Sequence, residues 1–230
     1  MRPPLSTLKT NDFFGGGALF SRHVPTRSSD KIFAAFAVSR EVAISWAGTK
    51  ATKGATLMPY RSVEIANEFL RQPGALGSLT QMQLQKLAYL ANGWNWAING
   101  DRLIEDPVEA WDFGPVYREL YDHTKFFGKQ PLTRMVTAED SQAARVFGWR
   151  SDERAQPYVA HLNDRERAVV ANVWNRYGRL GGAQLSALTH QRGTPWFNAY
   201  STTGKNAVID QAAIRQHYDE LAQRAQQTAA

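Results

Sequence analysis

Thr80-Gln81-Met82-Gln83-Leu84-Gln85-Lys86-Leu87-Ala88-Tyr89-Leu90-Ala91-Asn92-Gly93-Trp94-Asn95-Trp96-Ala97-Ile98-Asn99-Gly100 is the stretch whose reading decides the fold. Thr80-x-x-Gln83 has capping-box spacing, in which each side chain satisfies a free backbone N–H of the other. Leu84, Leu87, Ala88, Ala91, Trp94 and Ile98 then repeat at helical spacing, and Gly100 suits the left-handed position that ends a helix. These signals predict one long helix from Thr80 to Gly100 that needs neighbours on its apolar side. Trp94 and Trp96 lie about 200° apart on such a helix, so both cannot face the same core. One of them reaches a groove or a second helix.

Working outward, Val63, Ala66 and Leu70, broadened by Ile65 and Phe69, predict a helix from Ser62 that stops at Pro73-Gly74. Downstream, Pro107 to Phe113 alternates as an extended strand does. Val108, Ala110 and Asp112 point one way, and Glu109, Trp111 and Phe113 the other. Gly114-Pro115 reads as the start of a further helix, because proline suits the first helical turn. Val116, Leu120, Thr124 and Phe127 line that helix, with Tyr117 and Tyr121 beside them. Residues 128–160 carry little periodicity and read as loops around a short helix near Ala138 to Phe147. Asn163-x-x-Glu166 repeats the capping box ahead of Val169, Val170, Val173, Trp174 and Tyr177. Short helices over Ala183 to Thr189 and Thr194 to Tyr200 follow, and Asp210 caps a last one carrying Ile214, His217, Tyr218 and Leu221. The expected fold is mainly α, a compact multi-helix domain with room for one short β pairing near 103–113.

Residues 1–57 have a different character. They hold Pro3-Pro4, Gly15-Gly16-Gly17 and Ser28-Ser29, with eight of the 27 Lys and Arg and only three of the 21 Asp and Glu. The net charge of +6 therefore sits mostly in this segment, and residues 58–230 are nearly neutral. The overall basicity is thus weak support for nucleic-acid binding. We expect 1–57 to be a disordered extension or sequence upstream of a true start at Met58, with one domain over 58–230. Ile32 to Val38 is at the short limit of a secretory apolar core and lacks a fitting cleavage site. No apolar run approaches the roughly 20 residues of a membrane span. The absence of cysteine excludes disulfides, thiolate ligands and thiol nucleophiles, and is compatible with the cytoplasm, the expected location.

Few residues offer chemistry. His190 is the natural candidate for proton transfer, yet Ser186, Asp164 and Asp210 lack the context of a nucleophile or an orienting carboxylate. A histidine in this position more often pins the following turn. His23, His123, His161, His190 and His217 show no metal-ligand spacing, and no metal or cofactor is expected. Asp101, Glu105, Asp106, Glu109 and Asp112 form an acidic stretch, read as a solvated face or an acidic groove for a basic partner. Lys86 stands within the apolar run of the long helix, either snorkelling at the core edge or paired with one of those carboxylates. The dense aromatic set from Trp94 to Phe127 has acidic neighbours, which suits a protein interface better than stacked bases.

Three phrases, in order, carry a family likeness: Leu84-Gln85-Lys86-Leu87-Ala88-Tyr89-Leu90-Ala91, Val108-Glu109-Ala110-Trp111-Asp112-Phe113-Gly114-Pro115-Val116, and Leu185-Ser186-Ala187-Leu188-Thr189-His190 followed by Pro195-Trp196. Together the phrases resemble the Panacea domain, the SocA-like antitoxin domain of bacteria and phages. The resemblance implies a non-catalytic, largely helical antitoxin that neutralises a cognate toxin protein by direct contact. Family-motif or partner-binding positions carry over to Lys86, Trp94, Trp96, Trp111, Gly114, Pro115, Tyr117, Tyr121, His190, Pro195 and Trp196. The chain departs from the family in its 1–57 extension and in Ala88-Tyr89, where a bulkier apolar pair is usual. Two alternatives stay open. One is a DNA-binding regulator of its own operon, for which Arg165-Arg167 with Arg176-Arg179 is the candidate recognition surface. The other is an adaptor that delivers the toxin to a cytoplasmic AAA+ protease; outside the binding modules, a hydrolase using His190 is the enzyme alternative.

Overall fold

From Leu84 to Asn95 every residue of the long helix is buried, so the helix is enclosed on all sides rather than along one stripe. The computed structural model describes residues 59–147 and 156–229, and the expectations for residues 1–57 and for a start at Met58 lie outside them. In chain order the elements are α1 (Ser62–Leu70), α2 (Gln81–Asn99), β1 (Val108–Trp111), β2 (Gly114–Tyr117), α3 (Arg118–Thr124), α4 (Gln142–Phe147), α5 (Asp164–Tyr177), α6 (Gly182–Thr189), α7 (Pro195–Thr202), β3 (Ala207–Val208) and α8 (Gln211–Ala229). The fold is mainly α with one small sheet, as the periodicities predicted.

Local chemistry sets the ends of α2. The Thr80 N–H donates to Gln83 Oε1 at 3.0 Å, and Gly100 adopts φ 79° with its N–H on Trp96 O. Helices α1, α5, α6 and α8 and strand β2 pack around it. Leu84, Leu87, Ala88, Ala91 and Trp94 are fully buried. Helix α8 crosses at Gly93, where a Cβ would stand 2.2 Å from the Tyr218 ring. Tyr218 meets Trp94 edge-on at 5.3 Å, while Trp96, on another face, is half-buried under Arg215 of α8. Both tryptophans therefore meet the same second helix.

The sheet has the order β2-β1-β3, all antiparallel, with Val108 opposite Tyr117 and Trp111 opposite Gly114. This corrects the reading of Gly114-Pro115 as a helix start: both lie in β2, and the helix begins at Arg118. Asp112 and Phe113 form a two-residue hairpin turn, and Gly114 has φ 104°, outside the helical region. The φ of proline suits an edge strand as well as a first helical turn, so the Pro115 signal was ambiguous.

Polar side chains of α2 complete the edges. Gln85 accepts from Tyr117 N at 2.9 Å and donates to Tyr117 O at 3.1 Å, taking the place of a strand neighbour beside β2. Asn92 Oδ1 accepts from both Leu103 N and Ile104 N at 3.0 Å. In the same way Asn67 of α1 binds Val136 and Tyr158 backbone groups. Buried backbone that lacks a ladder partner is satisfied by these amides.

Candidate partner-binding site

The hairpin turn between β1 and β2 is held by α6 and α7 through its carbonyls. Trp196 Nε1 donates to Trp111 O at 2.9 Å, His190 Nε2 lies 3.2 Å from Asp112 O, and Ser186 Oγ donates to Phe113 O at 2.9 Å. Three successive carbonyls of the turn are thus engaged. The Asp112 carboxylate is engaged too, by the Tyr200 hydroxyl at 2.9 Å and by Lys205 Nζ at 2.5 Å. The Lys205 hydrogen bond, and after it the Tyr200 one, holds the Asp112 carboxyl below its ordinary range. Gly114 closes the turn with no room for a side chain, since a Cβ there would stand 2.7 Å from Thr189 Oγ1 and 2.8 Å from Lys86 Cε.

Helix chemistry positions these donors. Thr194 caps α7, accepting from Phe197 N and donating to Thr189 O at 2.7 Å, and Pro195 occupies the first turn of that helix. This orders the corner between α6 and α7 and places the Trp196 ring between His190, 3.7 Å away by centroid, and Tyr200 at 4.9 Å. Trp196 and Pro195 are buried.

His190 Nδ1 lies 2.6 Å from Ser186 O, so both ring nitrogens face backbone carbonyls. The Ser186 hydroxyl, 3.3 Å from His190 Nδ1, spends its proton on Phe113 O. The pair pins the β1–β2 turn, 78 residues earlier in the chain, rather than the turn that follows His190. Among the described residues no three His, Asp or Glu gather as metal ligands do.

On the outer face of the sheet, Trp111 and Tyr121 pack edge-on at 4.8 Å. Arg118 stands over the Trp111 ring and binds Glu109 through Nε at 2.9 Å and Nη2 at 2.7 Å, while Trp111 Nε1 also donates to Glu109. Burial opposes ionisation of Glu109, but the Arg118 and Trp111 hydrogen bonds prevail and hold its carboxyl below the ordinary range. Trp111 and Tyr121 are half-buried, so Trp111 is not part of the closed core. As an outward residue of β1 it packs on Tyr121 with one side only.

Four other positions fall inside the domain. Lys86 is 1% exposed and Nζ donates to Pro115 O at 3.0 Å. It neither snorkels nor, among the described residues, pairs with a carboxylate, because its direction on α2 aims it at β2. Burial pushes its pKa down to about 7. Trp94 and Tyr117 are fully buried, and Pro115 is buried in β2. Lys86, Trp94 and Tyr117 therefore offer no surface to a partner in this conformation. The acidic stretch does not form one groove: Asp112 pairs with Lys205, Glu109 with Arg118, and Asp106 Oδ2 accepts from Ser62 N at 2.8 Å.

Sequence reasoning missed Ser186, Tyr200 and Lys205 as holders of the turn and Phe113 as its exposed tip.

The family model described as "Antitoxin SocA-like, Panacea domain" matches residues 84–197, a span that holds all three motif phrases and the clamped hairpin. The chain is also 27% identical over 135 residues to "Antitoxin SocA" of Caulobacter vibrioides (strain NA1000 / CB15N), covering 57% of this chain and 66% of that protein. No solved structure matches. Among the described residues no helix is long and apolar enough to cross a membrane. Residues 84–197 of this chain therefore carry a SocA-like Panacea domain.

Proposed function

We propose that this chain is the antitoxin of a toxin–antitoxin pair and neutralises a cognate protein toxin in the cytoplasm by direct, non-catalytic contact. The observation that carries this reading is the use of the motif. Polar atoms of its first and third phrases bind the backbone of the hairpin that holds the second, through Gln85, Lys86, Ser186, His190 and Trp196. A motif that rigidifies a turn rather than assembling an acid, a base and a nucleophile suits a binding module. On this reading Lys86, Trp94, Gly114, Pro115, Tyr117, His190, Pro195 and Trp196 build the scaffold. The half-exposed Trp111 and Tyr121, with Trp96 on another face, are the contact candidates, of the residue types favoured at interface hot spots.

Co-expression of the full chain with the product of the adjacent reading frame is the test. Growth rescue with a co-purifying complex is the expected result. Rescue without a complex would sink direct neutralisation, and rescue lost only when AAA+ proteases are removed would replace blockade by delivery.

A further inference from the structure

Phe113 stands at the tip of the β1–β2 turn with 68% of its surface exposed, the most exposed aromatic side chain among the described residues. A lone exposed apolar residue is ordinary. What sets this one apart is its mounting. The carbonyls of Trp111 and Phe113 accept from Trp196 and Ser186, the His190 ring lies against the carbonyl of Asp112, and the next residue, Gly114, is locked between Thr189 and Lys86. The backbone that carries the ring is therefore ordered before any partner arrives, which lowers the entropy lost on docking. The ring itself does not fold back on the domain.

The tip also has a defined electrostatic character. Asp112 is its only carboxylate, and Lys205 neutralises it at 2.5 Å, with both side chains about half exposed. The turn thus presents an apolar ring beside a compact, internally balanced ion pair. A cationic partner surface gains little there, because the carboxylate already has its cation. An apolar pocket with a polar rim fits, the arrangement found at the centre of protein interfaces. The feature protrudes, so the partner supplies the concavity. That favours a folded protein over a small ligand, which needs a cleft on this side.

We infer that Phe113 is the anchor by which this chain docks into an apolar pocket of its toxin, with the Asp112–Lys205 pair as the polar rim. This rests on the antitoxin reading and names the contact within it. The test titrates the full chain against the co-expressed product of the adjacent reading frame, using wild type, Phe113→Ala, Phe113→Asp and Phe126→Ala. Phe126 is 56% exposed and lies in the short 3-10 turn Lys125–Phe127 after α3, so it serves as the control for an exposed phenylalanine elsewhere. The melting temperature should be unchanged in the Phe113 variants, because the ring touches little of its own domain. Affinity should fall at least about 30-fold in Phe113→Ala and further in Phe113→Asp, with toxin rescue lost, while Phe126→Ala binds as wild type does. Wild-type affinity in Phe113→Asp overturns the anchor and leaves the antitoxin reading standing. Failure of wild type itself to bind or rescue overturns both. A change in oligomeric state of the isolated chain in Phe113→Asp would assign the ring to self-association and overturn the proposal.

Discussion

Lys86 is enclosed with a single hydrogen-bond acceptor, Pro115 O, for an ammonium that has three donors. Burial therefore favours the neutral amine and brings its pKa down to about 7, against about 10.4 in an unfolded chain. Between these values the unfolded chain binds a proton that the folded one does not, so stability must rise with pH from about 7 to about 10. The full effect is on the order of 3–5 kcal/mol. Above about pH 10 the trend reverses, because burial raises the pKa of Tyr89, Tyr117 and Tyr218 and unfolding releases their protons. Denaturant melts at pH 6 to 10 should show the rise in wild type and its loss in Lys86→Met. A variant that keeps the slope would place the titration elsewhere. The two tryptophans of the turn should differ as well. Trp196→Ala should cost about 3–5 kcal/mol, since the ring is 5% exposed and its N–H holds Trp111 O. Trp111→Ala should cost about 1–2 kcal/mol, in keeping with its half-burial. Equal costs would contradict the placement of Trp111 on the outer face.

At the scale of elements, α2 and α8 approach closely at Gly93, where no side chain fits beside Tyr218. Replacing glycine by alanine inside a helix ordinarily stabilises by about 0.5–1 kcal/mol. Here the new methyl would collide with the buried Tyr218 ring, which has Tyr89 and Trp94 around it and little space to retreat. Gly93→Ala should therefore destabilise by about 1–3 kcal/mol, read as a lower denaturant midpoint. A stabilised variant would mean that the two helices pack less closely than this. The same scale shows where local reading succeeds and where it stops. Thr80-x-x-Gln83 and Asn163-x-x-Glu166 form the predicted boxes because both partners lie within one turn of helix. Gly114-Pro115 was misread because the deciding partner is another strand.

Over the whole molecule, α8 and α1 lie outside residues 84–197 yet close the core around α2. A chain ending at Asp210 would uncover Tyr89, Gly93 and Trp94 and should lose cooperative thermal unfolding. Retention of a sharp transition would show that the matched span folds without its last helix. A chain beginning at Met58 is expected to melt as the full chain does, and a large loss of stability would assign residues 1–57 a packing role.

Most helix positions, the caps, an extended run within Pro107 to Phe113 and the family motif were legible in the sequence alone, because each depends on neighbours a few residues apart or on the order of residues. The roles of the motif residues were not. Gln85 and Lys86 find their acceptors 32 and 29 residues away, and the turn is gripped by side chains 73 to 93 residues distant. Periodicity reports which face of a helix is apolar, but a buried lysine or glutamine breaks that pattern whatever it binds. Only the approach of α6 and α7 to the β1–β2 hairpin decided that His190 and Ser186 face its carbonyls and that Phe113 is left in solvent.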